Sequence, residues 1–220
     1  MMTNAARGLA AALTLLALTA TPAHAAPDPA PQTVPLRQAV TSLPVADESR
    51  AGYERSKFRH WIDEDGDGCS TRVEALFDEA VGKKADATCK DLTGDSWYSY
   101  YDDTWVSDPR GLDIDHMVPL AEAWDSGASA WTPARRQAYA NDLGAERSLV
   151  AVTARSNRSK SDQDPAEWMP PAAGATCRYL EDWTATKLRW SLTVDTTEQQ
   201  KLADLAAGCP DEPITYTVAE

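Results

Sequence analysis

The sequence predicts an α+β single domain with more helix than strand. Three observations lead there. Residues 178–190 and 197–207 repeat apolar side chains at helical spacing. Residues 111–119 (GLDIDHMVP) alternate Leu112 and Ile114 with Asp113 and Asp115, the period of a strand, and residues 148–153 (SLVAVT) form a second short apolar run. Finally, about 195 residues remain once residues 1–25 are set aside, which suits one domain with its own core, and no internal repeat divides them.

Taken in order, residues 1–25 have the pattern of a secretory signal peptide. Arg7 gives the positive start, residues 9–20 an apolar stretch short for a bilayer, and Ala23-His24-Ala25 a small-x-small cleavage site. The expectation is a secreted protein with no membrane span. Residues 26–45 contain five prolines and almost no charge, predicting a flexible Pro-rich leader ahead of a domain spanning 46–220. Tyr53, Phe58 and Trp61 are spaced as in a helix over 49–61, and Val73, Leu76, Phe77 and Val81 or Ala80 do the same over 71–81. Residues 89–101 (CKDLTGDSWYSYY) read as a short strand and turn. Pro119 ends the strand at 111–119, and 120–124 begins a helix or turn. Residues 133–142 form a helix with proline near its start. The second strand, 148–153, leads into a helix over 154–160, and Asp164-Pro165 begins another.

The formal charge of −13, with 21 basic and 34 acidic residues, excludes a protein that coats nucleic acid through broad charge attraction. An enzyme with a local basic cleft and a metal remains compatible with it. Cys69, Cys89, Cys177 and Cys209 lack paired C-x-x-C spacing, so two disulfides fit better than a zinc site. Of the three connectivities, Cys69–Cys89 with Cys177–Cys209 closes short loops.

Two stretches carry chemistry: DIDHMVP (113–119) and SLVAVTARSNRSK (148–160). The first is a strand ending in a carboxylate beside an imidazole. The second is a strand running into a helix that bears Asn157, Arg158 and Lys160. A strand pair followed by a helix can bring Asp115, His116 and Asn157 to one point. Oxygen donors from Asp115 and Asn157 suit Mg²⁺ foremost, with Mn²⁺ or Zn²⁺ as alternatives. A neutral His116 can take a proton from water, and Arg158 and Lys160 can hold a phosphate backbone. Asp113, on the same strand face as Asp115, can tune the metal site indirectly. Glu122 is a candidate hydrogen-bond partner near it, and Arg72 a candidate phosphate contact.

With DIDHMVPLAEAW (113–124) and LVAVTARSNRSKSDQDPAEWMP (149–170), the chain resembles the HNH endonucleases, in particular secreted members related to the C-terminal nuclease domain of GmrSD-type restriction enzymes. The resemblance implies a ββα-metal core inside the mainly helical domain, with a divalent metal as cofactor. It makes His116 the general base, Asp115 a metal ligand, and Asn157 the residue that supplies or orients another. The implied substrate is nucleic acid, DNA ahead of RNA, with no obligate protein partner. Where many HNH proteins carry their middle asparagine, nine residues before Asn157, this chain has Ser148, which can hydrogen-bond the His116 loop with shorter reach.

A competing reading comes from DEDGDGCSTRVE (63–74), which fits an EF-hand loop with Asp63, Asp65, Asp67 and Glu74 at ligand positions and Gly66 at the turn. It would make the protein a non-catalytic calcium binder, or give the enzyme a structural Ca²⁺. Ser70 stands at a position that is usually apolar, Cys69 beside it is a disulfide candidate, and the loop is single where EF-hands pair.

Overall fold

The structure, a computed structural model, describes residues 1–2, 29–82, 88–90, 92 and 96–219. Beyond its first two residues, the predicted signal peptide lies outside the described residues. Among the described residues, helices and three small antiparallel strand pairs make one domain with two disulfides, Cys69–Cys89 and Cys177–Cys209.

Residues 32–42 of the segment predicted as a flexible leader are instead part of the fold. Strand β1 (Gln32–Pro35) pairs with β6 (Pro213–Tyr216), and α1 (Leu36–Ser42) buries Leu36, Ala39 and Val40. Proline composition misled here because Pro35 sits just before the helix, where no N–H is required. Arg37 then donates to the carbonyls of Ala206 and Cys209, capping the end of α7 (Thr196–Gly208). Helix α6 (Thr176–Trp190) is tied to the end of α7 by Cys177–Cys209.

Two further expectations are corrected. Residues 49–61 are not a helix but a turn-rich arm with one 3₁₀ turn at Arg55–Lys57, in which Gly52 (φ 73°) and Trp61 (φ 58°) take left-handed backbone. Its aromatic residues pack outside any helix: Tyr53 and Phe58 lie 6.1 and 6.4 Å from the Trp124 ring, and the Trp124 indole donates to Ala51. Asp164-Pro165 starts a single turn, which closes when the Asp164 carboxylate accepts from Ala166 and Glu167. In α2 (Thr71–Glu79) the buried residues are Thr71, Ala75 and Leu76, while Val81 is half exposed beyond the helix.

Strands β2 (Trp97–Ser99) and β3 (Thr104–Val106) form a hairpin. The central pair is β4 (Leu112–His116) with β5 (Leu149–Thr153), and α5 (Ala154–Lys160) packs on both. The register sets Asp113 opposite Val152 and Asp115 opposite Val150, so these four share a face. Leu112, Ile114, Leu149 and Ala151 occupy the other face, against Leu76 and Trp97. Burial on both faces explains why β5 reads as a continuous apolar run. Helices α3 (Leu120–Asp125) and α4 (Pro133–Ala140) connect the two strands, with Thr132 capping α4.

Candidate active site

The end of β4, the start of α3, α5 and the arm around Arg55 enclose a cleft of about 470 Å³. Asp115, His116, Asn157 and Arg158, which the sequence singled out, all line it; so do Tyr53 and Arg55, which it did not.

His116 is fixed by the helix before β5. The last carbonyl of α4, Ala140 O, lies 2.9 Å from His116 Nε2. A carbonyl only accepts, so Nε2 carries the proton and Nδ1 keeps the lone pair. The ring lies 5.1 Å from Trp61 and stacks at 6.4 Å on Tyr139. Burial pushes its pKa down to about 3, and Arg55, His60 and Lys160 add to that by charge, against the opposing Ala140 bond. The imidazole is therefore neutral near pH 7, as a proton acceptor requires.

Asn141, overlooked in the sequence, locks this arrangement. Its Nδ2 donates to Arg59 and Gln137, and its Oδ1 accepts from Ile62 N and Thr71 Oγ1. The end of α4, the arm and α2 are thus joined beside the His116 support. The available signal was an asparagine directly after an amphipathic helix, a position suited to capping.

Asp115 is almost fully buried, and its Oδ2 accepts from Tyr101 Oη (2.6 Å) and Lys160 Nζ (2.5 Å). Burial pushes the carboxyl pKa up, with Lys160 and Tyr101 pulling against it. Helix α5 starts without a loop because Thr153 Oγ1, at the end of β5, caps Ser156 N (3.3 Å). Asn157 Nδ2 donates to Asp113 Oδ2 at 3.2 Å. With its Nδ2 paired to a carboxylate oxygen, the Asn157 amide keeps Oδ1 as an available acceptor. Arg158, exposed at the rim, rests on the same Asp113 oxygen at 3.2 Å. Asp113 thereby contacts two of the cleft residues, Asn157 and Arg158. Asp115 and Asn157 thus offer two hard oxygen donors at one cleft, a chemistry that fits Mg²⁺ or Mn²⁺.

Several predicted site residues lie elsewhere. Lys160 cannot reach a substrate phosphate: it has no exposed surface, because α5 turns the Ser156–Lys160 edge inward. Glu122 is buried and does not line the cleft, accepting instead from Ser126 Oγ and Lys187 Nζ. Ser148 gives its hydroxyl to Asp142 (2.7 Å) and meets the His116 loop only through its carbonyl, which accepts from Met117 N. Arg72 donates to the Leu112 carbonyl of β4, a structural bond.

In the acidic loop, Asp63, Asp65 and Asp67 are exposed, with oxygens within 4.8 Å of one another. They are engaged with the loop's own amides, of Gly66, Gly68, Asp67 and Cys69. Glu74 stands on the first turn of α2; burial, then Asp65 and Asp67, push its pKa up.

Residues 69–205 match the family described as GmrSD restriction endonucleases, C-terminal domain. The chain is also 38% identical, over 205 residues, to a protein of Arthroderma benhamiae described as an uncharacterized secreted protein; the alignment spans 90% of this chain and 97% of that relative. No solved structure matches.

Proposed function

This chain belongs to the GmrSD restriction endonuclease C-terminal-domain family, and from that premise we propose that it is a secreted, divalent-metal-dependent HNH endonuclease hydrolysing phosphodiester bonds, in DNA ahead of RNA. The observation that carries the reading is His116, its Nε2 engaged by the Ala140 carbonyl, in one cleft with Asp115 and Asn157. On this reading β4, β5 and α5 are the ββα-metal unit.

Asp115 and Asn157 would hold the cation, Mg²⁺ foremost, with Mn²⁺ or Zn²⁺ as alternatives. When bound, it would stabilise charge building on the phosphate and the leaving oxygen. His116 Nδ1 takes the proton from an attacking water, while the Ala140 carbonyl keeps the ring in the required tautomer. Arg158 and Arg55 place positive charge at the rim and draw a phosphate into an otherwise acidic protein. Secretion is supported by the description of the relative and by the Ala23-His24-Ala25 pattern; no described helix is long and apolar enough to cross a membrane.

The test is plasmid and RNA cleavage with Mg²⁺, Mn²⁺, Ca²⁺ and Zn²⁺ in turn. His116→Ala should lower kcat by about 10²–10⁴-fold while the protein still melts cooperatively. A wild-type protein that cuts neither substrate with any of the four ions ends the reading.

A further inference from the structure

Lys160 follows Asn157 by one helical turn, yet it points beneath the cleft rather than into it. Its three ammonium protons have three acceptors: Asp115 Oδ2 at 2.5 Å, His116 O at 3.0 Å and Met117 O at 2.7 Å. The rings of Tyr101, Tyr179 and Trp183 surround Nζ at 5.7–5.8 Å. An ammonium fully removed from water must be paired and hydrogen-bonded, but that requirement does not dictate where the partners lie. All of these lie in three consecutive residues, the ones that carry the candidate metal carboxylate and the candidate base.

Building on the nuclease reading, we propose that Lys160 is a positioning residue. With Tyr101 it holds Oδ2 of Asp115, so that Asp115 offers a divalent cation Oδ1 alone. Through the His116 and Met117 carbonyls it fixes the turn that aims the imidazole. Because Lys160 and Asn157 stand on one short helix, the ammonium also sets the spacing between Asp115 and Asn157. A one-oxygen carboxylate leaves coordination positions for water and phosphate, as Mg²⁺ and Mn²⁺ sites require.

The experiment compares wild type, Lys160→Met and Tyr101→Phe. Mn²⁺ binding is followed without nucleic acid by the electron paramagnetic resonance signal of the free ion, and kcat and KM are measured on DNA. Lys160→Met should weaken Mn²⁺ binding about 10–100-fold and lower kcat by a similar factor with KM for DNA unchanged. In an Asp115→Asn background it should add little to the loss of Mn²⁺ binding, since that part of its effect runs through the carboxylate. Tyr101→Phe should weaken Mn²⁺ binding to a smaller extent. A folded Lys160→Met with wild-type Mn²⁺ affinity and kcat would reduce the residue to a structural role and overturn the proposal. A raised KM with a shallower salt dependence would return Lys160 to the phosphate and overturn it equally. If Lys160→Met does not fold, Tyr101→Phe decides, and unchanged Mn²⁺ affinity in that variant overturns the proposal. A wild-type protein that neither binds Mn²⁺ nor cleaves removes the nuclease reading itself; an active wild type with uninformative variants removes only the role of Lys160.

Discussion

Two lysines, Lys160 and Lys187, have no exposed surface, and both ammoniums lie against the Trp183 ring, at 5.7 and 5.4 Å. Their surroundings differ. Lys160 has one carboxylate and two carbonyls from the end of β4 and the residue after it, and burial pushes its pKa down against the pull of Asp115. Lys187 has two carboxylates, Glu122 at 2.8 Å and Glu198 at 2.7 Å, with Ser126 and Thr193 completing the shell. Burial alone would lower its pKa, but Glu198 and Glu122 outweigh that and raise it. Lys187 joins α3, α6 and α7 and lines no part of the cleft. Two carboxylates balance the charge of one lysine within the fold, while the other is paired with the candidate metal carboxylate Asp115.

Lys187→Met should break the fold side of this contrast with the largest effect. It leaves Glu122 and Glu198 facing each other without a cation, with Glu48 beside them. The expected loss is about 3–5 kcal/mol of unfolding free energy, read by urea denaturation. Turnover per folded molecule should stay close to wild type. A variant with wild-type stability and no turnover would erase the distinction between the two lysines. Next in size is Asp113→Ala, which touches neither lysine but releases the Asn157 amide and Arg158 on the outer side of α5. Mn²⁺ affinity should fall about 10–100-fold with the melting temperature nearly unchanged. An undiminished affinity would mean that Asn157 needs no such support.

The sequence was most legible where one period and one chemical pair coincided. β4 and β5 showed their strand patterns, α5 followed from the run after Thr153, and Asp115 beside His116 marked the cleft. Lys160 reads as a phosphate contact because it follows Asn157 and Arg158, yet the structure buries it. The counter-signal was the i, i+4 step from Ser156, which puts both on the inner edge of α5. Arg55 stayed hidden because the arm's aromatic spacing imitated a helix, and only its packing on Trp124 reveals the turn that presents the guanidinium. The β1–β6 pairing depends on partners some 180 residues apart, a contact that composition cannot express.

The smallest expected effect sharpens the Lys187 side through pH. Glu48 lies next to Glu122 and Glu198, and its Oε1 has no hydrogen-bond partner among the described residues. Burial first, then Glu122, raises its pKa from 4.5 to about 8, and burial likewise brings Glu198 to about 7. A carboxyl with a raised pKa binds more protons folded than unfolded, so its contribution is complete below 4.5 and declines as pH rises to about 8. His116 works in the opposite sense, but only between about 3 and 6.5, so pH 6.5 to 8 isolates the carboxyl group effect. Over that range the wild-type melting temperature should fall. Glu48→Gln, which keeps the shape of the protonated acid, should make the fall shallower without abolishing it, because Glu198 still titrates beside Lys187. A slope identical to wild type would mean that Glu48 is ionised throughout, and that the charge around Lys187 is balanced by Glu122 and Glu198 alone.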